Sequence, residues 1–322
     1  MNKKLLAVAV SAALVAPAAA MAGEVTVYGH AQVEVASYSE DSPGSGKDGV
    51  AVEDNARGRV GVKASEDLGN GLKSFAQFEF KADTTDNDTD KSSAAPGGTD
   101  GNASLTGRVS QVGLKGGFGS VMLGNLKSPY KYTGGVKYDP FVTTSLQARG
   151  NGGMTSGSKG HNGFVKNMVG YASPKGPVTV GVIYGPTENE GNFAADVKYS
   201  AGGVEAFVAA YDDGDISDYT ATKVGGQFKS GPHKISGQYE MIDTGTNEPT
   251  VLFLGYQMKM GKNTFALQYA DADPDVNGVD NTTYVALGVI HKFSKMTRLF
   301  AGYRDTSDIE SVVTVGLRKD FK

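Results

Sequence analysis

Apolar and polar residues alternate along this chain over stretches longer than a soluble sheet uses. Residues 24–38 read EVTVYGHAQVEVASY. Val25, Val27, Ala31, Val33 and Val35 fall on one face, and Thr26, Tyr28, His30, Gln32 and Glu34 on the other. A strict period of two is the mark of a strand with two unlike faces. Strands of soluble proteins commonly run about five or six residues. Segment 59–81, RVGVKASEDLGNGLKSFAQFEFK, repeats the pattern twice around the turn-prone EDLGNG. Such strands suit a membrane barrel, with one face toward lipid and the other toward a wet lumen.

Candidate strands continue to the end of the chain. SLTGRVSQVGLKG returns as SVMLGNL, TATKVGGQFKS as KISGQYEMI, and TVLFLGYQMKM as TFALQYAD; SVVTVGLRKDFK is the last. About sixteen strands are expected, at roughly 19 residues per strand plus connection. RVSQVGL breaks the alternation, and TVLFLGY is apolar on both faces. Short turns such as GPH alternate with long polar connections such as DADPDVNGVDN. The expected fold is therefore all-β: a closed transmembrane antiparallel barrel, since lipid offers no partner to an unpaired backbone group. A soluble β-sandwich would have shorter strands and turn its polar face outward.

Residues 1–22 precede this pattern. Lys3 and Lys4, an apolar run over 5–16 and Ala20-Met21-Ala22 have the form of a secretory signal peptide. Pro17 argues against a membrane anchor. The expected mature domain is a single barrel over 23–322. Without Lys3 and Lys4 the formal charge passes from −4 to −6, which argues against nucleic acid as a partner. The chain has no cysteine, so export proceeds without disulfides.

RVGVKASEDLGNGLKSFAQFEF, GRVSQVGLKGGFGSVMLGN, VGYASPKG, FSKMTRLFAGYRD and the terminal VGLRKDF together resemble the Gram-negative general porins of proteobacteria. The resemblance spans the whole mature chain. It implies a sixteen-stranded barrel in the cell outer membrane, a homotrimer, short periplasmic turns, long extracellular loops and a third loop folded inward as a constriction. It implies passive diffusion of small hydrophilic solutes and ions. Such chains usually end on an aromatic residue read by the assembly machinery. Here Phe321, the expected assembly signal, is followed by Lys322.

A pore needs no catalytic residue; its chemistry is the charge and width of its narrowest part. The longest connection without an obvious strand is about 127–166. It carries Lys127, Lys131, Lys137, Arg149, Lys159 and Lys166 against the single acid Asp139. On the strands, Arg57, Arg59, Arg108, Lys223 and Arg304 fall on the lumen side at similar heights above their turns. Glu34, Glu79 and Glu240 are candidate counter-charges. The expected constriction is lined by Arg57, Arg59, Arg108, Lys131, Lys137, Asp139, Arg149, Lys223 and Arg304 and prefers anions. The alternatives are weak selectivity through neutralisation by the acids, or a reversed sign if Asp139 sits at the narrowest point.

Other functions leave weaker traces. The alternating Asp271, Asp273 and Asp275 suggest calcium, but the EF-hand glycine and glutamate are here Val276 and Thr282. No metal or cofactor is expected. Solvated acidic loops, bridged by divalent ions to lipopolysaccharide, fit better. His30, His161, His233 and His291 are scattered, and no GxSxG occurs, so an outer-membrane barrel enzyme is a poor reading. A barrel with a plugged lumen, acting as an adhesin or structural protein, is the other alternative. Expected partners are outer-membrane lipid, lipopolysaccharide and small anionic or neutral solutes.

Overall fold

The structure, a computed structural model, describes residues 23–39, 49–55, 58–85, 105–156, 160–161, 163–186 and 191–322. The signal-peptide reading of 1–22, together with Arg57 and Lys159, lies outside the described residues.

Among the described residues, seventeen strands form one antiparallel sheet that closes on itself. They are β1 (Glu24–Tyr38), β2 (Gly49–Glu53), β3 (Arg59–Gly69), β4 (Leu72–Ala82), β5 (Leu105–Gly116), β6 (Gly119–Lys127), β7 (Phe164–Ala172), β8 (Val178–Tyr184) and β9 (Phe193–Ala201). They continue as β10 (Val204–Asp212), β11 (Thr220–Ser230), β12 (His233–Asp243), β13 (Thr250–Met260), β14 (Asn263–Asp273), β15 (Thr282–Lys292), β16 (Thr297–Thr306) and β17 (Glu310–Phe321). β1 pairs with β17 from Gly29↔Phe321 to Tyr38↔Val312, which closes the ring. Its other edge is covered first by β3 and then by β2, so those two are one stave with a break between Glu53 and Arg59. The result is the sixteen-stave barrel that the alternation predicts. GVAVE, over 49–53, is the half-stave that the turn signals alone did not reveal.

The outer surface follows the period of two. Val25, Val27 and Val35 on β1 and Val313, Val315 and Leu317 on β17 are exposed, as are Leu252 and Leu254 on β13. In a soluble protein this band would aggregate; against acyl chains it is the favourable surface. Aromatic residues ring the end that carries the short turns: Phe118, Tyr199, Phe228, Phe265, Phe293 and Phe321 are all exposed there. Such rings mark the level of lipid headgroups.

The buried core lies off-centre, between the inner wall and the 128–163 connection. Loop residues Tyr130, Tyr138, Phe141, Leu146 and Met154 join wall residues Phe207, Ile242, Phe253, Ala270, Tyr284 and Phe300 in one cluster. Burying a large apolar side chain stabilises by about 1.5–3 kcal/mol, which holds the loop to the wall. This explains why TVLFLGY is apolar on both faces. Val251 and Phe253 face inward beneath the loop, while Leu252 and Leu254 face outward.

Candidate functional site

The connection between β6 and β7 starts with a one-turn helix, α1 (Pro129–Tyr132), and a 3-10 turn over Gly135–Lys137. Both lie inside the barrel, α1 against β8, β9 and β10. Glycine on the wall makes room for the loop. A Cβ at Gly302 would sit 2.6 Å from Leu146 Cδ1 and 2.4 Å from the Leu287 carbonyl oxygen. No larger residue fits between that strand pair and the loop.

Polar contacts pin the loop at intervals around the ring. On β12, Glu240 accepts hydrogen bonds from Tyr130 Oη at 3.1 Å and Thr155 Oγ1 at 2.6 Å. His161 Nδ1 lies 2.9 Å from Thr155 Oγ1 and 3.1 Å from the Thr155 carbonyl oxygen. Its Nε2 lies 2.9 Å from Lys223 Nζ. Burial, and then the adjacent Lys223 ammonium, hold the His161 imidazole well below its ordinary pKa. On β14, Gln268 donates to Asp139 Oδ1 at 2.8 Å, and the same carboxylate takes the N–H groups of Phe141 and Ala148. Burial nevertheless raises the pKa of Asp139, these donors working against it. On β1, Glu34 accepts the Ser145 N–H at 3.1 Å. Tyr284 on β15 donates to the Leu146 carbonyl. The loop thus covers the inner wall from β8 around to β1 and leaves open the sector of β3–β6 together with the short-turn ends of β16 and β17.

That open sector is basic. Glu79 on β4 is shared by two arginines: Arg108 Nε donates to it at 3.0 Å, and Arg59 Nη1 stands 3.8 Å away. Lys127 lies within electrostatic range of Glu79, Lys63, Arg59 and Arg108. Arg318 pairs with Asp320 at 2.9 Å and lies opposite Arg298 across β16 and β17. Arg298 lines a crevice against Pro140–Thr144 of the loop. Among these groups, Arg59, Lys63, Arg108, Lys127, Arg298 and Arg318 outnumber the carboxylates Glu79 and Asp320. The Phe164 ring carries a cation on each approach, with Arg108 Cζ at 4.4 Å and Lys131 Nζ at 3.8 Å from its centroid. On the loop, the guanidinium of Arg149 lies within electrostatic range of Arg108 and Arg59. Burial lowers its pKa to about 10, still charged at neutral pH. The Nε atoms of Arg59 and Arg149 are buried with no hydrogen-bond partner. Together these groups gather positive charge and unpaired donors along one side of the inner wall.

The family described as Gram-negative porin matches residues 7–309. The chain belongs to the Gram-negative porin family. Outer membrane porin protein 32 of Delftia acidovorans is 29% identical to this porin over 335 aligned residues, spanning 93% of this chain and 88% of its own. Major outer membrane protein P.IB of Neisseria gonorrhoeae is 37% identical over 139 residues, 42% of this chain and 34% of its own. Among solved structures, Salmonella typhi OmpF in complex with daunomycin superposes with a TM-score of 0.71 at 16% identity, covering 92% of this chain and 97% of that one. Outer-membrane expressed OmpT of Vibrio cholerae gives 0.68 at 19% identity, covering 94% and 99%. At such identities these two speak for the fold. The porin is an outer-membrane channel protein.

The residues anticipated from sequence fall in several different places in the porin. Arg59 and Arg108 lie together in the open sector, with Arg149 facing them from the loop. Lys131 is buried under the loop against Phe164, beside that sector. Lys223, Asp139 and Arg304 are sealed between loop and wall. Lys223 serves the His161 contact, and Asp139 ties the loop to Gln268. Arg304 bonds Glu310 and donates to Thr306 Oγ1 at 3.2 Å. Lys137 is exposed, within range of Lys198, Glu205 and Asp196. Phe321 pairs with Gly29 and is exposed on the outer face. Lys63, Arg298 and Arg318 were not singled out from sequence. The usable signal was parity: Lys63 lies four residues from Arg59 and so on the same face, and Arg318 precedes the inward Asp320 by two.

Proposed function

We propose that this porin is a homotrimeric, water-filled channel for passive diffusion of small hydrophilic solutes and ions, and that its constriction prefers anions. The observation that carries the preference is the open sector. Its cations outnumber its carboxylates, and the Arg59 and Arg149 Nε–H groups have no hydrogen-bond partner among the described residues. Fixed positive charge in a narrow passage with low-dielectric walls concentrates anions and lowers their entry barrier. Guanidinium groups suit carboxylate and phosphate because their fork of donors matches the planar oxygens. Asp139 is buried between loop and wall, where it couples to Arg149 rather than being exposed to solutes.

Trimer formation is supported by the Vibrio cholerae OmpT structure solved in trimer form. Residues 1–22 act as a removable signal peptide, leaving 23–322 as one barrel domain with its inserted loop. The remaining apolar band meets outer-membrane lipid, and the polar loops meet lipopolysaccharide. The driving force is the solute gradient, with no cofactor and no catalytic step.

The test is the zero-current potential of single channels in a planar bilayer under a salt gradient. Steps in groups of three with a potential of anion sign support the reading. A cation sign rejects the preference and leaves the channel standing.

A further inference from the structure

Below the constriction, toward the short-turn end, the inner wall forms an open crevice of about 360 Å³. Its lining includes Lys63, Phe75, Gln77, Gln111, Lys115 and Glu24. Their order follows from register. Lys63 lies opposite Gln77, and Gln77 opposite Gln111. Two residues further toward the turns, Phe75 lies opposite Gly113, and two beyond that comes the row of Lys115. The rows of Lys63 and Lys115 are thus separated by roughly 13 Å along the strands, at about 3.3 Å per residue. The ring of Phe75 occupies the row between them, with Glu24 at the far end of that row, two strands away across Ser65.

The ring lies on the wall because position 113 is glycine. A Cβ there would meet Phe75 Cζ at 2.6 Å. Phe75 is only half-buried, so part of the ring is open to the lumen. The side-chain amides are partly engaged: Gln111 Nε2 donates to Gln77 Oε1 at 3.1 Å, and Gln77 donates to Tyr28 Oη. Lys63 Nζ stands 4.6 Å from the Tyr28 ring centroid. Both Lys63 and Lys115 are exposed, against the one carboxylate of Glu24. Cation, apolar surface, cation: this order matches a solute with an anionic group at each end and an apolar middle.

We infer that this crevice is a second solute-binding subsite, downstream of the constriction, which takes dicarboxylates with an aromatic or aliphatic spacer. Ring stacking on Phe75 supplies what a bare anion lacks. The two ammonium groups supply what a monocarboxylate cannot engage at both ends. A weak site on the exit path keeps such solutes in single file without trapping them, which is the condition for flux through a binding pore. The inference rests on the anion-preferring reading, since a dianion must first pass the basic sector.

The experiment is block of potassium chloride current through single trimers by terephthalate, benzoate and acetate, each added at the short-turn side. Terephthalate is expected to half-block at a concentration at least tenfold below that of either monocarboxylate. Phe75→Leu and Lys115→Gln are each expected to raise that concentration about fivefold or more. Phe75→Leu carries no charge change and is expected to leave the zero-current potential as in the wild type. Terephthalate blocking no better than acetate overturns the subsite, as does block that both variants leave intact. A wild-type potential of anion sign with no block removes the subsite alone; a cation sign with block present removes only the selectivity reading.

Discussion

The ammonium of Lys223 lies 2.9 Å from Nε2 of His161, and both groups are buried. When the lysine is protonated it has only protons to give, so Nε2 then accepts and Nδ1 carries the ring proton toward the Thr155 carbonyl. The loop is thus fastened to the wall through a neutral histidine.

The fastening should weaken in acid. A detached His161 titrates near 6.5, whereas the docked ring stays neutral to well below that. Below about pH 6.5 the detached state binds a proton that the docked state refuses. Through His161 docking is therefore weakened as pH falls, by at most about 1.4 kcal/mol per pH unit, while the raised pKa of Asp139 works in the opposite direction. Limited proteolysis of the loop should be faster at pH 5.5 than at 7.5 in the wild type. His161→Gln should flatten that difference. Equal pH dependence in both would show that another group controls docking.

Gly135→Ala should dislodge the same corner. Gly135 has φ of +52°, and an added Cβ would lie 2.5 Å from His161 Cδ2 and 2.9 Å from Lys223 Nζ. The left-handed backbone costs roughly 1–2 kcal/mol with a side chain, before the contact is counted. Single-channel conductance should rise, with more flicker, while the barrel still forms.

Asp139→Asn should loosen the loop at its middle. The carboxylate accepts from Phe141 N at 2.8 Å, Ala148 N at 2.9 Å and Gln268 Nε2 at 2.8 Å. The amide keeps one oxygen and sets an NH2 against a donor. Leaving a buried donor unpaired costs about 1–3 kcal/mol. A lower thermal midpoint with the ionic preference unchanged is the expected outcome. A changed preference would place the carboxylate in the conduction path.

The barrel was legible because period-two alternation is a local signal, written within each strand. EVTVYGHAQVEVASY matches β1 residue for residue. The side on which Lys223 and Arg304 fall was legible in the same way. What covers them was not, because occlusion comes from a loop distant in sequence: Gly135, His161 and Tyr130 over Lys223, Asn151 over Thr306 beside Arg304. Phe253 carried a trace of that cover, as an apolar residue on the wet face. The grouping of Arg298 with Arg318 needed the register of β16 on β17, which no single strand encodes.

Selectivity should fade with salt. The screening length drops from about 10 Å at 0.1 M to about 3 Å at 1 M. Lys63 and Lys127 are exposed to the lumen, so their field is screened there. The anion-to-cation permeability ratio should fall severalfold between these concentrations. A ratio independent of salt would mean that solutes are sorted by size or by buried donors.

The most direct test of the central claim is the zero-current potential of the wild type beside the Lys127→Gln/Arg318→Gln double variant, under one gradient at 0.1 M salt. These two cations sit at the two ends of the open basic sector. The predicted result is an anion-sign potential in the wild type, moved toward zero or past it in the variant as Glu79 and Asp320 gain relative weight. A cation-sign wild type, or a variant that matches an anion-sign wild type, would contradict the account.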